Sequence, residues 1–320
     1  MSNNLDVLLI GCGNMAKEYA KVLNAQKVNY MTVGRGKEKA QSFQKEMQVE
    51  TRYGGIESVI ESLSETPRCA IVATNVLTIC DVTVCLIRHG VRRILVEKPA
   101  GMNRAEVDKI NRLASEMGAE IFVAYNRRYF SSVLKAKEMI EEDGGVDSFN
   151  FEFTEWGHVI EKLDKTKEER DQWFLLNSSH VVDLAFFLGG LPQKMSSYIS
   201  GEGCLEWHRK CSKYAGAGVT EKGTIFSYQA NYGAPGRWAV EILTRKHRLY
   251  LKPLEQLFVQ NIGEVTLQQV ELEDSLDKEY KPGLYRQVDD FLKGEEGYLL
   301  SIQEHADHMR IYEQMEANVN

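Results

Sequence analysis

Leu5–Ala16 reads LDVLLIGCGNMA, and this stretch decides how the chain begins to fold. The apolar run Val7–Ile10 has the length and composition of a buried strand. It breaks into Gly11-Cys12-Gly13-Asn14-Met15-Ala16, after which Tyr19, Ala20 and Leu23 recur at helical spacing. Gly11 permits a tight turn, Gly13 lets the backbone come close to a ligand, and the small Ala16 lets helix pack on strand. Free N–H groups at the positive end of a helix suit a pyrophosphate. Gly-x-Gly-x-x-Ala in a strand–turn–helix therefore points to dinucleotide binding through Gly11, Gly13, Asn14 and Met15.

Outward from this unit the pattern repeats. Val28–Val33, Cys69–Ala73, Arg93–Val96 and Ile121–Ala124 read as further strands, with Lys37–Met47, Thr78–His89 and Arg104–Met117 as helices between them. Strands alternating with amphipathic helices imply right-handed crossovers and a doubly wound parallel sheet of Rossmann type. Ligands bind such sheets at the carboxyl ends of the strands. Ala73, Thr74 and Asn75, at the end of the third strand, should therefore line the cofactor.

The rhythm changes after Gly144. Val146–Trp156 alternates apolar and polar residues, as a half-buried strand does, and Ser179–Leu188 reads as a helix. Strand-like runs follow at Thr224–Tyr232, Arg237–Thr244, Arg248–Leu251, Gln256–Gln260 and Glu264–Glu271. Their short connections favour an antiparallel sheet. Helix patterns at Leu284–Leu292 and Ser301–Glu316 close the sequence. The fold class expected is thus α/β, a Rossmann domain over residues 1–125 joined to a C-terminal α+β domain over 126–320 with a largely antiparallel open sheet. The last helices are free to pack back on the first domain. Alternating Phe226, Tyr228, Trp238 and Val240 suggest an apolar sheet face for a homodimer or tetramer.

Composition narrows the partners. A net charge of −7 argues against a nucleic-acid partner. No apolar stretch approaches bilayer-spanning length and no signal-peptide pattern opens the chain, so a cytoplasmic location is expected. Six cysteines are scattered without a disulfide-like framework. Cys204, His208 and Cys211 lack a convincing fourth zinc ligand, and His305 with His308 reads as part of an exposed polar face. No metal is assigned.

Four features in order resemble the Gfo/Idh/MocA family of NAD(P)-dependent oxidoreductases. They are the glycine fingerprint at 11–16, Glu97-Lys98-Pro99 after the fourth strand, Tyr125-Asn126-Arg127-Arg128 after the fifth, and Ser179-His180-Val181-Val182-Asp183 opening a helix. The resemblance places Glu97 and Lys98 beside the cofactor and His180 at the substrate hydroxyl, with Lys98 across the same pocket. The residues suit those roles. An ammonium at a strand's carboxyl end can stabilise a developing alkoxide, and an imidazole titrates near working pH. Asp183 lies three residues after His180 and so shares its helix face. Asn126, Arg127, Trp156 and Asn177 complete the candidate substrate contacts, with Glu155 and Trp173 as further candidates.

The chain departs from the family at one place. The resemblance implies an aspartate four residues before the histidine and a glycine two before it; Leu176 and Ser178 stand there instead. The second strand also ends in Thr32-Val33-Gly34-Arg35-Gly36-Lys37, without the acid that holds an unphosphorylated ribose. Arg35 can grip a 2′-phosphate and Lys37 can add charge, which favours NADP(H), with NAD(H) the alternative. The family implies a sugar, nucleotide sugar or related polyol as substrate. The activity expected is hydride transfer between nicotinamide and a hydroxyl or carbonyl carbon. Two competitors stand beside it, a lyase or glycosidase that retains its dinucleotide and a non-catalytic cofactor-binding sensor motivated by Leu176.

Overall fold

The computed structural model describes residues 5–295 and 297–319. The chain divides into two compact units, one of residues through Asn126 with Leu276–Asp307, the other of Arg127–Ser275 with the residues from His308 on.

In the first unit the elements run β1 (Val7–Ile10), α1 (Asn14–Ala25), β2 (Tyr30–Val33), α2 (Lys37–Met47), β3 (Thr51–Arg52) and α3 (Ile56–Ile60). They continue with β4 (Cys69–Val72), α4 (Val76–Arg88), β5 (Arg93–Glu97), α5 (Arg104–Met117) and β6 (Glu120–Ala124). Every residue of β1, β2 and β4 is buried, as strands covered by helices on both faces must be. Strand order is β6-β5-β4-β1-β2-β3, all parallel. Because β1 lies between β4 and β2, the order reverses there, and the carboxyl ends of these strands open a crevice.

A 3-10 turn at Asn126–Tyr129 leads into the second unit, which continues with α6 (Ser131–Glu142), β7 (Ser148–Glu152), α7 (Gly157–Ile160) and α8 (Lys167–Asp171). A π-helix at Phe174–Ser178 runs into α9 (Ser179–Gly189). The strands β8 (Pro192–Ser200), β9 (Lys213–Thr220), β10 (Ile225–Asn231), β11 (Ala239–Leu243), β12 (His247–Leu251), β13 (Phe258–Asn261) and β14 (Gln268–Gln269) follow. They form an 8-stranded sheet in the order β14-β13-β12-β11-β7-β10-β9-β8. All neighbours are antiparallel except β7 and β10, which are parallel. The helix α9 covers β7 and β11, where Phe149, Phe151 and Phe226 pack around Phe186.

The chain ends with α10 (Ser275–Glu279), α11 (Leu284–Lys293), β15 (Leu300–Ser301) and α12 (Ile302–Met315). In the first unit β15 adds antiparallel to β6, and Phe291 of α11 meets Phe122 edge-on at 6.4 Å.

Three expectations need correction. Phe226, Tyr228, Trp238 and Val240 do not form an open sheet face; all four are buried within their own unit. The exposed side of that sheet carries their alternate neighbours, such as Ile225 at 67% exposure. His305 and His308 are buried rather than on a polar surface. The run Glu264–Glu271 gives only the two-residue β14, because most of it stays exposed and finds no ladder partner among the described residues.

Candidate functional site

A groove of 930 Å³ lies over the carboxyl ends of the first sheet. It brings together Gly11, Gly13, Asn14, Met15, Arg35, Ala73, Thr74 and Asn75 from the residues read in the sequence. Gly11 adopts φ +128°, and a Cβ there would stand 2.3 Å from the Ala73 carbonyl oxygen, so only glycine lets β1 and β4 end side by side. Gly13 is different. A Cβ there would meet nothing within 4 Å, so no protein packing demands a glycine, and the space is left for a ligand. Gly13 also begins α1, whose N-terminus has no side-chain cap. Its uncapped N–H groups and the gap beside them fit a pyrophosphate. By contrast Asn75, also in the groove, caps α4 by accepting from the Leu77 N–H at 2.9 Å.

Arg35, Lys39 and Ser42 line the groove, and residues 33–37, where β2 ends, include no acid. Glu57, from α3, is the acid among the lining residues. Lys39 and Ser42 were missed in the sequence, although their three-residue spacing on the amphipathic α2 places them on one face. Lys37 is not part of the lining; its ammonium sits 5.8 Å from the Tyr53 ring centroid. Glu97 and Lys98 also lie outside the groove lining. Glu97 accepts from the buried Tyr19 hydroxyl at 2.7 Å, which ties α1 to the end of β5. Burial first, then the Glu97 charge, holds the Tyr19 phenol well above its ordinary range. Lys98 is half-buried and precedes a cis peptide to Pro99. The Pro99 carbonyl is held by His305 Nε2 at 2.9 Å, a support for the lysine segment that local sequence does not announce. Asn126, read as a substrate contact, donates to the Pro282 carbonyl at 2.8 Å.

In the second unit the other candidates gather around Trp238. The guanidinium carbons of Arg127 and Arg237 stand 4.7 and 4.4 Å from its ring, and the buried His180 ring lies 6.1 Å away. Trp156 is half-exposed, donates to the Gly236 carbonyl at 3.0 Å and is covered by Arg237 at 4.7 Å. Trp173 is core, edge-on to Trp207.

Asp183, read in the sequence as a substrate contact, is engaged by a protein partner. It is 1% exposed, and its two oxygens accept from Arg128 at 2.7 and 2.8 Å in a bidentate pair. Burial pushes the Asp183 carboxyl up, but Arg128 and His308 overcome it and hold the group at about 2. The pair ties the start of the second unit to α9.

Glu155, only a further candidate in the sequence, is at the centre of the polar cluster. It is 1% exposed and accepts from Asn177 at 2.9 Å, from the Ser178 hydroxyl at 2.8 Å and from Arg237 at 3.1 Å. The Ser178 hydroxyl in turn shares a 2.8 Å hydrogen bond with Tyr232.

A crevice at the switch point of a parallel sheet, opening on an uncapped helix start, defines a Rossmann-type dinucleotide-binding domain. Residues 5–125 match the family model described as an oxidoreductase family, GFO_IDH_MocA, with an NAD-binding Rossmann fold. A stretch of 123 residues, 38% of this chain, is 23% identical to scyllo-inositol 2-dehydrogenase (NADP(+)) IolW of Bacillus subtilis (strain 168); the match spans 34% of that protein. The whole fold resembles an NAD-binding oxidoreductase from Klebsiella pneumoniae, with TM-score 0.79 and 15% identity over 100% of both chains. It also resembles levoglucosan dehydrogenase in complex with NADH, with TM-score 0.78 and 18% identity over 99% of this chain and 98% of that one.

Proposed function

We propose that this chain is an NADP(H)-preferring oxidoreductase that moves hydride to or from a hydroxyl-bearing carbon of a sugar, nucleotide sugar or related polyol. The observation that carries the cofactor preference is Arg35 with Lys39 and Ser42 in the groove beside a β2 end that lacks a carboxylate. A planar guanidinium takes a phosphate in two hydrogen bonds, whereas a carboxylate there would repel it. Gly13 and the start of α1 hold the pyrophosphate, and Thr74 and Asn75 border it. When bound, the nicotinamide accepts or donates the hydride. Lys98, in the first unit, stabilises the oxygen of the reacting group as it gains charge. His180, in the second, hydrogen-bonds the same class of hydroxyl. The similarity to scyllo-inositol 2-dehydrogenase supports a sugar-like substrate.

Fluorescence titration with NADPH and NADH tests this reading. Wild type binds NADPH more tightly, and Arg35→Ala weakens NADPH by about tenfold, roughly 1.4 kcal/mol, while leaving NADH unchanged. Equal binding of both cofactors removes the preference; binding of neither removes the reading. Leu176 supports a second reading, a cofactor-binding sensor, which gains if Lys98→Ala leaves every detected activity intact. We assign the chain to the cytoplasm, where its six cysteines, all unbridged here, stay reduced. Self-association would use the sheet side that bears Tyr198 and Ile225; a monomeric mass by light scattering removes it.

A further inference from the structure

Three restraints converge on Lys98, and all of them come from within the first unit. Glu97, the last residue of β5, accepts from the Tyr19 hydroxyl of α1 at 2.7 Å. Two residues further on, the Pro99 carbonyl is held by His305 Nε2 of α12 at 2.9 Å. Between these anchors the chain reverses. The Ala100 N–H donates to the Glu97 carbonyl at 3.0 Å, so Lys98 and Pro99 occupy the central positions of a β-turn. Ala100 is fully buried with φ +66°. A residue with a Cβ keeps that left-handed conformation only where its surroundings enforce it, and such places cluster at functional sites.

Of the three restraints, the Tyr19–Glu97 bond is the one that ends on a charge. The Tyr19 ring is fully buried, and its hydroxyl goes to a carboxylate that is only half-buried. An aromatic ring packs as well without a hydroxyl, and a buried hydroxyl needs a partner. The partner here is the residue next to the ammonium.

We propose that Tyr19 is a positioning residue for Lys98: its hydroxyl fixes the Glu97 carboxylate, and that carboxylate sets how firmly the neighbouring ammonium holds its proton. The proposal rests on the oxidoreductase reading above, in which Lys98 stabilises an oxygen that gains charge. An ammonium held in place beforehand needs no rearrangement as that charge develops. The hydrogen bond from Tyr19 takes up part of the Glu97 charge, which would otherwise pair more fully with Lys98 and draw it away from substrate. Burial first, then the Glu97 charge, holds the Tyr19 phenol well above its ordinary range, so the group stays a donor at working pH. Tyr19 also stands on the helix whose start receives the pyrophosphate in that reading. One helix thus serves both the phosphates and the lysine. A role in packing alone requires the ring; the positioning role requires the hydroxyl.

The test follows the Lys98 amine of the full chain through a pH titration by NMR, with the lysines carrying isotopically labelled N-methyl groups. The Lys98 resonance is identified by its absence from Lys98→Arg, and neither substrate nor cofactor is needed. Tyr19→Phe keeps the ring and should move the Lys98 midpoint upward by about half a pH unit, because the released carboxylate pairs more strongly with the ammonium. Glu97→Gln should move it downward. In the Glu97→Gln background Tyr19→Phe should add nothing, an outcome that a packing role does not produce. A wild-type midpoint in Tyr19→Phe overturns the proposal, and so does a shift that persists in Glu97→Gln. If Tyr19→Phe does not fold, Glu97→Gln decides alone: a downward shift supports the proposal and an unmoved midpoint overturns it. NADPH titration of wild type separates the two failures, since a protein that binds no dinucleotide sinks the oxidoreductase reading itself.

Discussion

The groove of the first unit and the cluster of the second handle charge in opposite ways. In the groove, Gly13 and the start of α1 present backbone N–H groups, and the positive side chains Arg35 and Lys39 line it as well. In the cluster, Glu155 and Asp183 are each 1% exposed and held by Arg237 and Arg128. A backbone site depends on shape and tolerates changes of acidity. A cluster of buried ions depends on every partner being present. Cofactor binding should therefore be insensitive to the second unit's charges, and stability should be most sensitive to them.

The sharpest break should come at Asp183. Asp183→Asn leaves the Arg128 guanidinium buried without its counter-charge and should cost about 3–5 kcal/mol by urea unfolding. The pH dependence follows with its sign. The Asp183 carboxyl is held at about 2 in the folded chain against roughly 3.9 unfolded, so its contribution is present above the unfolded value and is lost as pH falls toward 2. The variant should lack that part of the acid transition. Gly11→Ala comes next. Its methyl would collide with the Ala73 carbonyl at positive φ, costing about 1–3 kcal/mol and displacing the turn to which the proposed function gives the pyrophosphate. Gly13→Ala is the smallest in stability, a few tenths of a kcal/mol. Because its methyl would enter only the ligand's space, NADPH affinity should still fall by about tenfold. If Gly13→Ala destabilised the fold as much as Gly11→Ala, the contrast between a packed and a ligand-facing glycine would fail.

The same contrast explains what the sequence disclosed. The first sheet was legible because buried parallel strands are short apolar runs and its turn residues are forced by backbone geometry. In the second unit β8 and β9 went unread. The β9 sequence, KYAGAGVT, has glycines where an alternating strand would carry side chains. A Cβ at Gly216 would be 2.3 Å from the Tyr228 ring, and one at Gly218 would be 2.6 Å from Phe226, so aromatic rings from β10 fill the places that β9 leaves open. Strand character there is supplied by the neighbour and cannot be seen locally. The polar β8 likewise depends on β9 and on the Tyr228 hydroxyl bonded to Ser197 at 2.7 Å. Among site residues, Glu155 was hard to weigh because its role arises from Asn177, Ser178 and Arg237, distant in sequence. The pairing of Asp183 with Arg128 was not legible because Arg128 lies on another element, 55 residues away.

His305 has a consequence for how the protein is made. The carbonyl immediately after Lys98 receives its hydrogen bond from a residue 206 positions downstream. The ribosome therefore releases the whole parallel sheet, with Lys98 at the end of β5, long before the group that steadies that segment exists. The lysine's surroundings are completed only when residue 305 has emerged and folded back, so the dinucleotide groove can mature on the nascent chain earlier than the reactive end of the same domain.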